Sequence, residues 1–246
     1  MGEQLQPFAH IAPTGVKGKI AFYTRLLVDF QVLTVFREMK KFLPFLKGKV
    51  MDVGCGDCPY AHLINRDVTK YLPVDTFDAG EFGYKRADVT EFDGRTLPFE
   101  DDSIDHIICS EVFEHVAEPE QLASEIHRVM KPQGTALITI PWSARFHYVP
   151  HDYHRFTPTA LKLLFAAFQG ISVVPRGTDI TTIAAKIIVV FSRSIIRERR
   201  VQWLGLLLAI LCSPILLASI LMGHLSLLCN IGTSDDPLGY TVRLVK

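Results

Sequence analysis

Two kinds of apolar spacing alternate along this chain. Residues 19–43 carry Phe22, Leu26, Leu27, Phe30, Leu33 and Phe36 at helical intervals, which predicts an N-terminal amphipathic helix. The run "KVMDVG" then reads as a buried strand, and the segment after Cys58 as a helix. Further strands are predicted in "KYLPVD", ending on Asp75, in "GYKRAD", ending near Asp88, and in "IDHIICS", ending at Ser110. The last is continuously apolar, as strands buried on both faces of a parallel sheet are. "EPEQLASEIHRVMKPQG" is punctuated as a helix, with Pro119 in its first turn and a stripe of Leu122, Ile126, Val129 and Met130. Pro132 and Gly134 stop it. "TALITI" is the next strand, "TPTALKLLFAAF" a helix opened by Thr157 and Pro158, "ISVVPR" a strand, and "GYTVRLVK" alternates as a last strand.

Such alternation implies an α/β class with a mostly parallel sheet, and ligands of open parallel sheets bind outside the carboxyl ends of the strands. Asp52, Gly54 and Gly56 end the first strand, Asp75 the second, Asp88 the third, Ser110 and Glu111 the fourth, and Pro141 and Trp142 the fifth. The polar candidates therefore share one edge. Gly54 and Gly56 form a G-x-G turn in strand-to-helix context, and Asp75 follows at the spacing of a ribose-binding carboxylate. A nicotinamide fingerprint would need glycine where Pro59 stands, and the pyrophosphate would lose its approach to the helix N-terminus. An adenosine cofactor without a pyrophosphate fits the turn better.

Composition narrows the partners. Among 246 residues, 26 Lys and Arg balance 26 Asp and Glu, which argues against a nucleic-acid partner. Five cysteines with no secretory apolar region near Met1 predict a reducing, cytoplasmic setting rather than a disulfide framework. Cys55-x-x-Cys58 is open to a redox reading, but no second cysteine pair accompanies it. A zinc site would draw on His147, His151 and His154 beside Asp152. Pro150 interrupts any helix aligning His147 with His151, so no metal is expected.

The strings "VMDVGCGDCPY", "YLPVDTF", "RADVTEF", "LPFEDDSIDHIICSEVFEHV" and "EIHRVMKPQGTALITIP" resemble, in order, the motifs of class I S-adenosylmethionine-dependent methyltransferases. They resemble the type 11 group, to which ubiquinone- and menaquinone-pathway enzymes also belong. "HYVPHDYHRFTPTALKLLF" and "DDPLGYTVRLVK" resemble a bacterial subgroup found near polysaccharide or lipid genes. The resemblance implies a Rossmann-like seven-stranded sheet whose last strand is antiparallel. It implies S-adenosyl-L-methionine as cofactor, its methionine part held by Asp52, Gly54, Cys55 and Gly56. It also implies that Asp75 binds the ribose, Thr76 flanks the adenine, Asp88 and Val89 contact the adenine, and Ser110 and Glu111 border the methyl-transfer position. Cys58 departs from the pattern, standing where many members carry glycine.

Transfer to a hydroxyl needs a base of near-neutral pKa, and histidine is the usual choice. The loop from His147 to Arg155 offers His151 or His154, oriented by Asp152, with Arg155 for an anionic group. The other reading makes Asp152 and Arg155 a support for the following helix. His115, in "FEHV", is a further chemical candidate or a capping residue.

Residues 201–234 contain no Asp, Glu, Lys or Arg. If the last strand closes the same sheet, both ends of the run lie on one side of a membrane, and two crossings would need about 40 apolar residues. Two short helices joined around Cys212 to Pro214 are expected, as a monotopic hairpin with Arg193, Arg197, Arg199 and Arg200 near anionic headgroups. The alternative is that they pack on the domain or form a homodimer interface. The organisation reads as an N-terminal helical segment (1–48), a Rossmann-like domain (49–180), a hydrophobic helical insertion (181–234) and a last strand (235–246).

The expected function is methyl transfer to a hydroxyl of a lipid-linked, glycan or small-molecule acceptor at the cytoplasmic face of a membrane. A non-catalytic, membrane-associated scaffold that binds the cofactor is the alternative, and a nicotinamide-dependent oxidoreductase a third class.

Overall fold

The computed structural model describes residues 13–77, 88–148, 150–196 and 202–246, apart from the side chains of 193–196, 202–206, 208 and 209. Strands β1 (Gly48–Val53), β2 (Thr69–Thr76), β3 (Thr90–Phe92), β4 (Ile104–Ser110), β5 (Met130–Pro141), β6 (Gly170–Arg176) and β7 (Gly239–Val245) form one sheet in the order β3-β2-β1-β4-β5-β7-β6. The first five run parallel, and β7 is antiparallel to both β5 and β6. This is the Rossmann-like sheet with a reversed last strand. Val53 lies level with Val74 and Cys109, and Ser110 with Thr139, so the carboxyl ends reach one edge together. The strand order reverses between β1 and β4, which opens a crevice there.

Both faces of the sheet are covered, which is why its central strands are apolar throughout. Met51, Val53, Ile107, Cys109 and Ile138 pack with Leu122 and Ile126 of α3 (Pro119–Val129) and Leu161 of α4 (Pro158–Leu164). Val50, Ile108 and Leu137 face the other way, toward Phe30, Leu33 and Met39 of α2 (Phe30–Phe42). Helix α1 (Gly15–Val28) precedes α2, while α5 (Asp179–Ile196) and α6 (Gln202–Cys229) lie between β6 and β7.

Several elements differ from the sequence expectation. The N-terminal amphipathic stretch is two helices, because Asp29 leaves helical geometry and its Oδ1 caps α2 by accepting from Val32 N at 3.1 Å. Between Cys58 and β2 the described residues hold no α-helix, only one 3-10 turn at Ala61–Leu63. Pro59 brings no N–H, and its carbonyl is engaged by His62 Nδ1 at 2.9 Å. β3 begins at Thr90, beyond Asp88, and most of "GYKRAD" falls outside the described residues. Met130 belongs to β5, opposite Ile104, and α4 stops at Leu164.

The long apolar run also folds differently. Instead of breaking at Cys212 to Pro214, α6 runs 28 residues with Pro214 inside it. Proline removes the N–H that would reach the Ile210 carbonyl, but Ser213 Oγ supplies a donor there at 2.7 Å. The hairpin is instead formed by α5 with α6. Ser226 near the end of α6 meets Thr178 and Thr181 at the start of α5, at 2.6 and 3.1 Å. The side chain of Arg193, and Arg197, Arg199 and Arg200 entirely, lie outside the described residues. α6 docks on the N-terminal helices through His224 Nε2 and the Leu27 carbonyl, 2.9 Å apart, and through Gly223 against Phe30. By length and composition, Ile210–Cys229 could cross a membrane.

Candidate active site

The turn after β1 is stitched to β2. Gly54 N and Cys55 N donate to the Val74 carbonyl at 2.9 and 3.2 Å. Gly56 N and Thr76 N donate to the two oxygens of Asp75, each at 2.8 Å. Gly54 sits at φ +65, and a Cβ there would overlap Val112. Burial raises the Asp75 carboxyl, against the lowering effect of the two N–H groups. Asp52 is buried beneath the turn, accepts from the Tyr71 hydroxyl, and is pushed up to about 8 mainly by desolvation.

Cys58 has φ +50, so this cysteine adopts the left-handed geometry that favours glycine. Cys55 and Cys58 are separate buried thiols. Hydrogen bonding to Cys58 and then burial hold the Cys55 thiol well above its ordinary range, the opposite of a reactive cysteine.

At the end of β4, Ser110 Oγ lies 3.0 Å from Thr139 Oγ1, and Glu111 takes the unusual φ of +55. Glu111 is gripped from two sides: Arg176 Nη2 donates to its Oε1 at 2.6 Å, and Gln31 Nε2 to its Oε2 at 3.0 Å. Arg176, at the end of β6, is 3% exposed and also donates to Thr34 Oγ1 at 3.2 Å and the Ile140 carbonyl at 3.3 Å. Neither Gln31 nor Arg176 was picked out from the sequence. The available signal for Arg176 was a charge ending an otherwise apolar strand at the same sheet edge.

These residues surround a cavity of about 530 Å³. Its walls include Asp52, Gly54, Cys55, Gly56, Asp75, Thr76, Ser110 and Glu111, as well as His115 and His151. Asp88 and Val89 do not line it. Because β3 starts at Thr90, the residues at its carboxyl end are Phe92, Asp93 and Gly94, and these form the wall. Val32 and Val35 of α2 close the cavity from above the sheet edge, a contribution that periodicity alone did not reveal.

The histidine loop is arranged otherwise than expected. Asp152 is engaged by Arg155 and His147. Its carboxylate receives a two-pronged contact from Arg155, at 2.6 and 2.9 Å, and lies 3.1 Å from His147 Nδ1. Arg155 also donates to the His154 carbonyl at 2.7 Å, so it serves the loop and does not line the cavity. The Asp152–Arg155 pair thus acts as the loop's support. His151 Nδ1 faces the Tyr153 hydroxyl at 2.9 Å. His154 stays off the cavity wall, with its Nε2 buried and unpartnered among the described residues. His115 Nδ1 contacts the His151 carbonyl at 2.6 Å, and burial lowers its imidazole to about 4, so it is neutral near pH 7.

Part of the chain is similar to known methyltransferases. Residues 51–138 match the model of a methyltransferase domain. An uncharacterized methyltransferase of Mycolicibacterium paratuberculosis is 37% identical over 97 residues, covering 37% of this chain and 38% of that protein. A Methanocaldococcus jannaschii protein is 29% identical over 122 residues, 48% of this chain and 53% of its own length. The matches therefore span about half or less of these relatives. Among solved structures, an Archaeoglobus fulgidus S-adenosylmethionine-dependent methyltransferase superposes with a TM-score of 0.53 at 15% identity, over 93% of this chain and 99% of that one. A Thermotoga maritima counterpart, titled a possible histamine N-methyltransferase, gives 0.52 at 15% identity, over 94% and 95%.

Proposed function

We propose that this protein is an S-adenosylmethionine-dependent methyltransferase acting on a hydroxyl oxygen of an acceptor met at a membrane surface, a reading supported by the match of residues 51–138 to a methyltransferase domain. The observation that carries the reading is the single cavity shared by the β1 turn, the Asp75 carboxylate and His151.

The residues present suit the cofactor. Gly54 and Gly56 leave the backbone open toward the cavity, and each Asp75 oxygen keeps acceptor capacity beyond its one backbone donor. Phe92, Asp93 and Gly94, on the wall beside Asp75 and Thr76, would flank the adenine. S-adenosylmethionine supplies an electrophilic methyl on a sulfonium. The chain's work is to align the acceptor and accept its proton. His151, on the cavity wall, would take the proton that the acceptor hydroxyl loses as its oxygen becomes methylated. Tyr153 fixes the imidazole that receives it.

Membrane contact fits the exposed apolar faces. Val16, Ile20 and Leu27 on α1 and Leu217, Leu221 and Leu228 on α6 are all exposed, on two helices joined by the His224–Leu27 bond. A face of this kind is stable against the boundary of a bilayer.

The test feeds the purified protein methyl-labelled S-adenosylmethionine with bacterial lipid and glycan extracts. Label should enter an extract component, and His151→Ala should cut the rate by about 10²–10⁴ while S-adenosylhomocysteine affinity is kept. Cofactor binding without any labelled product would favour the scaffold reading, and loss of label in His154→Ala but not His151→Ala would reassign the base.

A further inference from the structure

On the wall of the same cavity, three side chains converge that the methyl-transfer reading leaves unused. Glu114 and His115 come from the turn after β4, and His147 from the loop after β5, two neighbouring strands. Their ligating atoms all lie within 4.8 Å of one another. We propose that Glu114, His115 and His147 bind one divalent zinc-type cation beside the acceptor position.

Glu114 gives the independent sign. Its side chain is 0% exposed, and among the described residues no other residue donates a hydrogen bond to either carboxylate oxygen. His115 Nε2 lies 3.5 Å from Oε1. A buried carboxylate without partners is costly, and a bound cation is one of the few groups that compensates it.

Both histidines are prepared as ligands by their second nitrogen. His115 Nδ1 is engaged by the His151 carbonyl at 2.6 Å. His147 Nδ1 is engaged by the Arg145 carbonyl at 2.9 Å and the Asp152 carboxylate at 3.1 Å, with Asp152 itself locked by Arg155. A proton on each Nδ1 leaves each Nε2 with its lone pair, the arrangement found around metal-ligating imidazoles. Two imidazoles and one carboxylate suit zinc with an open fourth position. Because His115, His147 and Glu114 all line the cavity, that position faces the acceptor. One carboxylate against a dication leaves net positive charge, which favours an acceptor oxygen as it loses its proton.

This inference rests on the same cavity as the proposed function, but its test needs neither cofactor turnover nor an acceptor. The full chain, stripped with chelator, is titrated with Zn²⁺ alone and then desalted. One equivalent should be retained, and Glu114→Gln and His147→Asn should each weaken binding by at least about 100-fold. Asp152→Asn should weaken it by about 10–100-fold, as loss of an outer-shell partner does. His127→Ala, on α3, should leave it unchanged. Zn²⁺ at 100 times its Kd should also raise the wild-type Tm by about 5–10 °C and leave that of Glu114→Gln in place.

Wild-type protein that retains no stoichiometric zinc overturns the proposal, as does undiminished binding in His147→Asn, which alters a half-buried loop residue and decides the matter should Glu114→Gln misfold. Intact S-adenosylhomocysteine binding without zinc would sink the metal site alone. Zinc binding without methyl transfer would sink the proposed function and leave the site standing.

Discussion

Replacing Arg176 by methionine tests whether the polar residues at the strand ends are held from beneath by a buried ion pair. The guanidinium is 3% exposed and donates to Glu111 Oε1 at 2.6 Å, Thr34 Oγ1 at 3.2 Å, and the Ile140 and Tyr240 carbonyls at 3.3 and 3.4 Å. Methionine has similar bulk but no donors, so Glu111 would keep only Gln31. Removing one partner of a fully buried pair costs about 3–5 kcal/mol. The Glu111 side chain is 25% exposed, so water can reach it, and the lower end of that range, about 3 kcal/mol, applies. For a chain of this length that is a fall in Tm of about 6–12 °C. Calorimetry of wild type, Arg176→Met, Glu111→Gln and the double variant separates the pair from its surroundings. The double variant should lose clearly less than the sum of the singles, by about 1.5 kcal/mol or more. Strict additivity, or an Arg176→Met Tm within about 2 °C of wild type, would refute the reasoning.

Gly54→Ala combines a left-handed backbone with overlap onto Val112; it should destabilise by about 2–4 kcal/mol and weaken S-adenosylhomocysteine binding, with Val112→Ala recovering only the overlap share in calorimetry. Asp52, raised to about 8 by burial and faced by Tyr71, Cys58 and Asp75, binds a proton in the folded state that the unfolded chain releases near pH 4. Its contribution is therefore full below pH 4 and lost as pH rises toward 8, and Asp52→Asn should flatten denaturant-derived stability in that window by up to about 1.4 kcal/mol per pH unit. Replacing Leu217, Leu221 and Leu228 together by glutamate should abolish co-sedimentation with anionic vesicles while leaving Tm nearly unchanged, since all three are exposed. Unaltered sedimentation would remove the membrane reading.

The sheet was legible because each strand's demands are local. Runs such as "IDHIICS" must be covered on both faces, and the G-x-G turn with Asp75 read as one unit. What escaped the sequence depends on distant segments. Arg176 and Gln31 meet Glu111 across 65 and 80 positions, and no spacing rule spans such separations. Pro59 excludes a pyrophosphate turn, and the segment after it forms only a 3-10 turn where periodicity predicts a helix. Pro214 misled in the opposite sense, since Ser213 next to it supplies the hydrogen bond that proline withholds. The histidines show the same limit. Pro150 rules out ligands aligned along one helix, yet His147 meets Glu114 and His115 from the neighbouring strand end. Asp88 precedes β3 instead of ending it, a difference of a few positions that puts the strand end at Phe92.

The apolar hairpin and the cavity share one element, and that sharing predicts coupling between them. Phe30, buried at the start of α2, packs against Gly223 of α6, and a Cβ on Gly223 would overlap its ring. The next residue, Gln31, donates to Glu111 on the cavity wall at 3.0 Å, and Val32 and Val35 complete the same wall. Interiors this tightly packed respond to an added methyl by shifting neighbours, at about 1–3 kcal/mol. Gly223→Ala should therefore push Phe30 and the first turn of α2, and weaken S-adenosylhomocysteine binding although residue 223 does not line the cavity. Phe30→Leu in the same chain makes room for the methyl and should restore most of the affinity. If calorimetric titration finds Gly223→Ala binding as tightly as wild type while its Tm falls, the strain is absorbed within α6. The hairpin then anchors the domain without setting the geometry of its site.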